Sequence, residues 1–443
     1  MIHRNPDSLE ALPQVCRQRS VRNRTDASPI PIRSKRSRKH ACSSLPASPP
    51  MSPPTGKPHD ERRNKGPLEG VRLIELAGLG ALPFGSLKLA DMGAEIIRVD
   101  RLSDVPADRT PRPHSFWERG RRSIAVDLKQ TDGVETVLRL VERADGLLES
   151  FRPGVAERLG LGPEIACARN PRLVYARLTG FGQTGPLAQT AGHSLNYEAI
   201  TGFARAIGPR DGAPVPVLNV VGDFAGGGLQ LAYGVVCALF EAQRSGRGQV
   251  VDVAMIDGVM SLVAPFYAMH ASGMHTNHLG SNLFDGGAPF YAMYPTSDGR
   301  FVSIAAIESR FFAELCAKIG LESARFPDHH DSKCWVELRH ALESIFLTAT
   351  RDDWCARFEG SDACFAPVLD FSEAARHPHN LARGAFLDFS PMPELRPSPR
   401  LSRTPGAPAT SPAYPGADTR AVLADAGFSN AEIEVLIARA AVV

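Results

Sequence analysis

The stretch LEGVRLIELAGLGALPFGSLKLADMGAEIIRVD, residues 68–100, determines the fold class of the chain. Residues 71–76 are a short apolar run that ends before glycine, as buried strands often do. The next segment predicts a helix, because apolar residues recur at helical spacing: Phe84, Leu87, Leu89 and Met92. EIIRVD then predicts a second strand, so the whole stretch is typical of a β-α-β unit with parallel strands.

The same alternation of strands and helices continues through SIAVDL, GVETVLRLVERA, GLLESF and RLVYARLTGF. It predicts a Rossmann-like, doubly wound α/β domain over residues 67–253. Residues 254–290 are rich in Met and Gly and are interpreted as a linker of helix and loop. Residues 67–290 are therefore expected to form one large domain and the linker that follows it.

A second, smaller α+β domain is predicted over residues 291–376. It opens with FYAMYPTSDGRFVSIAA, a hairpin pattern whose turn is at 297–299. A Pro-rich return linker follows at 377–410, and two short helices are expected over 411–443.

Residues 1–66 differ from the remainder in composition. They carry fourteen Lys and Arg against five Asp and Glu, are rich in Pro and Ser, and lack periodic apolar residues. This composition predicts a disordered extension. Its Arg and Ser bias leaves an organelle transit peptide open, whereas MSPPTG at Met51 offers a second possible start. The remaining residues carry a net charge of −7, which is unlike a nucleic-acid-binding protein.

Eight cysteines are scattered without a C-x-x-C pair or zinc-like spacing, which indicates reduced thiols, a cytoplasmic location and no metal site. The longest apolar runs in the sequence are shorter than the roughly 20 residues that cross a bilayer. We therefore expect no membrane association.

Two glycine-rich loops resemble nucleotide-binding motifs without matching them. Gly78 and Gly80 follow the first strand, but Pro83 stands where the dinucleotide fingerprint needs a small residue. GDFAGGG at 222–228 is not followed by the G-K-[ST] of a phosphate loop. We interpret Asp223 there as lying at or near the N-cap of the next helix.

Taken together, many motifs in order resemble the family III CoA-transferase superfamily over residues 68–405: LADMGAEIIRVDR, GRRSIAVDLK, ESFRPGVAERLGLGP, YARLTGFGQTGP, AGHSLNY, NVVGDFAGGG, GRGQVVDVAMIDG, DGGAPFYAMY, DGRFVSIAAIE and FEGSDACFAPVLD. Within that superfamily they are most similar to the α-methylacyl-CoA racemases. The resemblance implies an interlocked homodimer of large and small domains joined by long linkers. The long linkers account for residues 254–290, which have no convincing compact role in one subunit. The resemblance also implies that residues 411–443 pack on the large domain.

The resemblance also implies an acyl-CoA substrate and the catalytic residues His193, Asp223 and Glu308. In racemases the histidine and aspartate act as two acid/base groups, and Glu308 stands where they carry the partner of the histidine. In transferases the aspartate instead forms an acyl anhydride, so CoA transfer through Asp223 is the alternative function. A CoA-binding protein without catalysis is a third possibility. Ser194 replaces a common Asp, and Ser309 replaces a common Pro.

Inverting the configuration at carbon 2 of the acyl group requires one acid/base group on each face of that carbon. Histidine is suited to this role because it titrates near neutral pH. No metal or redox cofactor is needed. By resemblance, the CoA site would be lined by Arg101, Val126, Asp127, Leu128, Lys129, Arg152, Gly192, Ser194, Leu195, Asn196 and Tyr197. The acyl chain would lie on adaptable methionines of the linker: Met255, Met260, Met269 and Met274.

Overall fold

The computed structural model describes residues 66–110, 118–387, 394–407 and 414–443. The predicted extension at 1–66 lies outside the described residues except for its last glycine. The predicted return linker at 377–410 is described only in part.

Six parallel strands form the larger sheet, which confirms the predicted α/β class. In chain order they are β1 (Arg72–Leu76), β2 (Glu95–Asp100), β3 (Arg121–Ala125), β4 (Gly146–Glu149), β5 (Val174–Thr179) and β6 (Gln249–Ala254). Their spatial order is β3-β2-β1-β4-β5-β6. The order reverses between β1 and β4, and such a switch point is where doubly wound sheets bind ligands, beyond the carboxyl ends of the strands.

Helices cover both faces of this sheet. They are α1 (Ala81–Asp91), α2 (Thr131–Val141), α3 (Val155–Arg158), α4 (Pro163–Arg169), α5 (Ser194–Ile200), α6 (Gln230–Ser245) and α7 (Met255–Ala271). Apolar residues of α2 and α4 form one buried cluster with the strands, and those of α1 and α6 form another. The sheet is thus buried on both faces, as parallel sheets usually are.

A π-helix, Val220–Leu229, runs directly into α6 and makes one helix of 26 residues. Asp223 therefore lies in the first turn of this helix, near its N-cap Asn219 rather than at it. By length and composition it is also the one helix of the described residues that could cross a bilayer, although 39% of its most apolar window is buried in the protein. It is longer than any apolar run in the sequence, because the π-helix continues into α6.

Helix α7 packs closely on the π-helix. A Cβ atom placed on Gly258 would lie 2.6 Å from the carbonyl carbon of Gly226, so the two backbones touch at this crossing. Val259 and Val263 of α7 are buried. The expectation that residues 254–290 lack a compact role within one subunit is therefore wrong for the first half of the segment, because glycine on both helices permits a contact that no periodicity shows.

The smaller sheet is antiparallel and belongs to a separate buried cluster. Its strands β7 (Tyr291–Pro295), β8 (Phe301–Ala305) and β9 (Phe365–Val368) pair in that order, which confirms the predicted hairpin between the first two. Three helices accompany them: α8 (Ser309–Ile319), α9 (Trp335–Phe346) and α10 (Arg351–Phe358). Trp354, Phe346 and Tyr294 are fully buried at the centre of this cluster.

The remaining elements lie after the smaller sheet. They are α11 (Phe371–Arg376), α12 (Pro378–Ala382), β10 (Phe386–Leu387), β11 (Glu394–Leu395), α13 (Thr419–Asp425) and α14 (Asn430–Ala438). Residues of α13 and α14 join the cluster that contains α2. Val442 pairs with Val126 just beyond β3, and the Asp127 N–H donates to the carbonyl of Ala441. The C-terminal residues thus pack on the larger sheet.

A buried ion pair ties the larger sheet to the start of α1. The Glu75 and Arg121 side chains are each 1% exposed, and Arg121 Nε lies 2.6 Å from Glu75 Oε2. A second guanidinium nitrogen donates to the carbonyl of Pro83 at 2.6 Å. The pair therefore fixes the first turn of α1 against β1 and β3.

Replacing one member of this pair tests its contribution to stability. We expect Glu75→Ala to lower the free energy of unfolding by about 3–5 kcal/mol, because Arg121 then keeps a buried charge without its main partner. Urea unfolding would measure the change. Glu135→Ala is the matched control, since Glu135 pairs with Arg169 at the surface and its loss should change the urea midpoint far less. Equal losses in both variants would contradict the prediction.

Candidate functional site

The predicted site residues of the large domain come from loops at one edge of the larger sheet. Arg101 follows β2, Lys129 lies just beyond β3, and Arg152 follows β4. Residues 192–197 follow β5 after a loop and open α5. Because the strands are parallel, all of these positions lie toward the carboxyl ends of the strands, where the switch point is.

Within the segment Val126–Lys129 the side chains have different surroundings. Val126 is 1% exposed and belongs to the buried core, and Leu128 packs against the same cluster. The Asp127 carboxylate accepts hydrogen bonds from the Gln130 side chain and the Lys129 N–H, which lower its pKa. Lys129 is exposed. Of these four side chains, the Lys129 ammonium is the one that faces solvent freely.

The loop between β1 and α1 lies beside Asp223. Gly80 has a φ of +67°, a conformation that favours glycine, and a Cβ atom there would lie 3.9 Å from Asp223 Oδ2. The neighbouring Phe224 ring contacts the Phe84 ring of α1, with centroids 4.8 Å apart. Leu79, at the tip of the loop, is 93% exposed. The Asp223 carboxylate therefore stands at the switch point between β1 and β4.

A contact between α5 and the π-helix joins the residue after His193 to the backbone of Asp223. The Asp223 N–H donates to the Ser194 hydroxyl at 3.3 Å, so the residue after His193 touches the backbone of Asp223. His193 is exposed and its own N–H donates to Asn196 Oδ1 at 3.0 Å. Asp223 is half-buried, and its Oδ2 accepts a hydrogen bond from the Asn219 amide at 3.1 Å.

Tyr197 holds the backbone just before His193. It is 4% exposed, its hydroxyl donates to the carbonyl of Gly192, and its ring meets Phe181 edge-on. Burial, together with the charge of Asp223, raises the pKa of the Tyr197 phenol to about 12. The phenol is therefore neutral near pH 7 and acts as a hydrogen-bond donor that holds the backbone before His193.

Glu198 also belongs to this arrangement, although the sequence analysis did not single it out. Its side chain is 1% exposed and accepts hydrogen bonds from the Ser194 hydroxyl at 2.7 Å and from the Gly222 N–H at 3.0 Å. A signal was present in the sequence, because serine and glutamate four residues apart lie on the same face of a helix. What the sequence did not show is that this face meets the π-helix.

Glu308 lies in the other part of the molecule, on the small domain. Its backbone precedes the first turn of α8, and its side chain is exposed. Burial raises the pKa of the Cys364 thiol, and the negative charge of Glu308 raises it further. The buried His329 ring donates to the carbonyl of Ile307 at 2.8 Å and so fixes the backbone just before Glu308. Among the described residues no hydrogen bond or ion pair joins Glu308 to His193 or Asp223.

The sequence matches the model of CoA-transferase family III over residues 68–419. It is 45% identical over 369 residues to the alpha-methylacyl-CoA racemase of Mus musculus, which covers 83% of this chain and 95% of that protein. It is 42% identical over 372 residues to the alpha-methylacyl-CoA racemase of Homo sapiens, with coverage of 83% and 95%. Both alignments include the elements that carry the site.

The fold is also similar to that of solved structures. The crystal structure of a CaiB/BaiF family protein from Brucella suis matches with a TM-score of 0.70 and 27% sequence identity. The match covers 82% of this chain and the whole of the other. The arrangement of the parallel sheet and the smaller antiparallel sheet is therefore shared with proteins of that family.

The contact between α5 and the π-helix is testable by adding one methyl group. A Cβ atom on Gly222 would lie 2.9 Å from Cα and 3.0 Å from the carbonyl oxygen of Ser194, which are backbone atoms that cannot rotate away. We expect Gly222→Ala to lower the free energy of unfolding by about 1–3 kcal/mol. Amide hydrogen exchange within α5 should also become faster.

Gly234→Ala is the matched control, because Gly234 lies further along the same long helix and its Cβ atom would meet only a methyl group of Val251. We expect it to leave stability within about 1 kcal/mol of the parent, since alanine favours a helix. Unchanged α5 exchange in the Gly222 variant would show that the two helices are not in contact.

Proposed function

The chain belongs to CoA-transferase family III, and on this premise we propose that it interconverts the 2R and 2S forms of 2-methylacyl-CoA thioesters. The observation that carries the proposal is the hydrogen bond between Ser194, the residue after His193, and the Asp223 N–H, at the switch point of a parallel sheet. The identities of 45% and 42% to racemases support an isomerase.

The reaction needs a proton removed from one face of carbon 2 and a proton returned to the other. In our proposal His193 serves one face and Asp223 the other, and the acyl thioester lies between them as an enolate. The partly exposed positions of both side chains leave them open to a substrate. The chemistry requires no metal and no redox cofactor, because only protons move.

The enolate oxygen needs positive charge nearby. The N-terminal end of the 26-residue helix supplies part of it through the helix dipole. Two of its N–H groups are already occupied, because Gly222 donates to Glu198 and Asp223 donates to Ser194. The long helix therefore acts on the enolate mainly through its field rather than through these two donors.

The CoA moiety would bind along the carboxyl edge of the sheet. Arg101, Lys129 and Arg152 are exposed cations in successive loops of this edge. Arginine presents forked donors that suit phosphate oxygens, and lysine adds a mobile charge. Residues 192–197 would complete the site beside the reacting thioester.

The acyl chain would extend along α5 toward a cavity at the opposite end of that helix. The cavity measures ≈160 Å³ and has apolar walls that include Ile207, Val263 and Phe266. Seven helical residues span about 10 Å, so the distance suits a chain of several carbons. Of the predicted methionines, Met260 and Met274 are exposed, although neither lines this cavity.

A homodimer would cover an apolar stripe that the single chain leaves exposed. Four residues of the long helix lie on one face at helical spacing, with exposed fractions of 41–69%: Leu229, Tyr233, Val236 and Phe240. A stripe of this kind on a soluble protein marks an interaction surface. In our proposal a second copy covers it in an interlocked dimer, and the small domain of that copy brings Glu308 to the His193 of the first.

The proposed location is the cytoplasm, with an organelle transit peptide within residues 1–66 as the alternative. The cysteines of the described residues are all free thiols, as expected in a reducing compartment. Membrane and nucleic-acid partners do not enter the proposal. The partner molecules are acyl-CoA and a second copy of the chain.

The racemase proposal predicts exchange of the proton at carbon 2 without any acceptor acid. In D₂O, each pure 2-methylacyl-CoA epimer should gain deuterium and become a mixture. His193→Gln keeps size and hydrogen bonding but takes no proton, and Asp223→Asn does the same on the other face. We expect each variant to lose racemisation and to exchange one epimer only, with opposite preferences. Mass spectrometry and chiral chromatography would measure both.

Other outcomes separate the alternatives. Transfer of CoA to an added carboxylic acid, without exchange at carbon 2, would replace the racemase with a transferase that uses an Asp223 anhydride. Binding of acyl-CoA with neither reaction would indicate a binding protein. Full racemisation by the His193 variant would remove that histidine from the mechanism.

Mixed dimers test whether Glu308 acts across the subunit boundary. We expect co-expression of His193→Gln and Glu308→Gln chains, with different tags, to give mixed dimers with about half the parental rate, because one of their two sites is intact. A mixture of His193→Gln and Asp223→Asn chains is the control, since both residues lie on the same large domain and no site is restored. No recovery in the first mixture would place Glu308 in its own subunit's site, whereas full activity of Glu308→Gln alone would place it outside catalysis.

A further inference from the structure

The buried side chain of Glu198 is the acidic group of this site that two-base chemistry does not use. It lies on α5, one turn after Ser194, and is 1% exposed. Within the described ranges its partners are hydrogen-bond donors, and no lysine or arginine forms an ion pair with it. Burying a carboxylate without an opposite charge costs free energy, so a purely structural position would favour an apolar side chain.

The partners of Glu198 lead directly to Asp223. One carboxylate oxygen, Oε1, accepts from the Ser194 hydroxyl at 2.7 Å and from the Gly222 N–H at 3.0 Å. Because its proton is directed to Glu198, the Ser194 hydroxyl presents a lone pair to the Asp223 N–H at 3.3 Å. Two consecutive N–H groups of the π-helix are therefore held by one carboxylate and the serine that it orients.

We propose that Glu198 is a positioning residue that, with Ser194, sets the place of the Asp223 carboxylate relative to carbon 2 of the substrate. The inference rests on the proposed function. Glu198 does not touch the substrate in this arrangement, because its carboxylate is enclosed between α5 and the π-helix. It acts by fixing the backbone from which the Asp223 side chain extends.

Different contacts hold the backbones that carry the two bases, so the proposal predicts a selective effect on one epimer. Glu198 and Ser194 hold the backbone of residues 222 and 223, whereas the His193 N–H is held by Asn196. Loss of the Glu198 contacts should therefore displace the Asp223 base more than the His193 base. A general loss of folding would affect both faces alike.

Three variants separate geometry from folding. Glu198→Ala removes the acceptor, and we expect exchange of the epimer served by Asp223 to fall by at least about tenfold, since small displacements of a reacting group are costly. The KM for acyl-CoA and exchange of the other epimer should change little. Glu198→Gln keeps an oxygen that can accept both hydrogen bonds, so its rates should stay within about threefold of the parent. Ser194→Ala should lower the same epimer's exchange less strongly.

Glu241→Ala is the matched control, because Glu241 accepts from Ser245 at the same four-residue spacing on an exposed face of α6. We expect it to exchange both epimers at the parental rate. Thermal melting of every variant would be recorded, and if Glu198→Ala does not fold, Ser194→Ala carries the comparison.

The outcomes distinguish this inference from the function on which it rests. If the parent protein exchanges neither epimer, the proposed function fails. If the parent exchanges both and Glu198→Ala either keeps full rates or loses both epimers equally, the positioning role is overturned. A selective loss on the Asp223 face, with recovery in Glu198→Gln, supports it.

Discussion

Glycine contacts around the π-helix are the constraint on which the large domain depends. Gly222 meets the backbone of α5, Gly226 meets α7, and Gly228 lies so close to α1 that a Cβ atom there would be 2.7 Å from the carbonyl oxygen of Ala81. Three helices thus approach one helix at distances that a side chain would prevent. Because backbone meets backbone, the helices have little freedom to move relative to one another. The loops at their ends are therefore held in defined positions as well.

This crowding holds the residue after His193 against the backbone of Asp223. His193 precedes α5 and Asp223 lies in the first turn of the π-helix, and the two helices touch through Ser194 and Gly222. Reacting groups carried on packed helices hold their geometry better than groups on mobile loops.

Buried charge has a second organising role. The Glu75–Arg121 pair joins β1, β3 and the first turn of α1, and the Glu198 carboxylate joins α5 to the π-helix. Both lie next to the switch point, where strand ends and helix starts would otherwise leave N–H and carbonyl groups without partners. Arg121 donates to the carbonyl of Pro83 and Glu198 accepts from the Gly222 N–H, hydrogen bonds that apolar side chains cannot form.

The sequence by itself determined the elements that depend on local pattern. Alternating apolar runs and helical spacing predicted the parallel β-α-β order, and SDG between two strand patterns predicted the β7–β8 hairpin. The motifs around His193, Asp223 and Glu308 indicated the family. Hydrophobic periodicity and turn chemistry are properties of neighbouring residues, so they are readable before folding.

Only the tertiary structure decided which of these segments meet. It began the helix of Asp223 as a π-helix at Val220, packed α7 on that helix, and enclosed Glu198 against Gly222. It also placed Val126 in the core and left Glu308 apart from His193 in the single chain. The physical reason is that these facts concern distances between residues far apart in sequence, which depend on how closely backbones approach, and a local pattern carries no information about that approach.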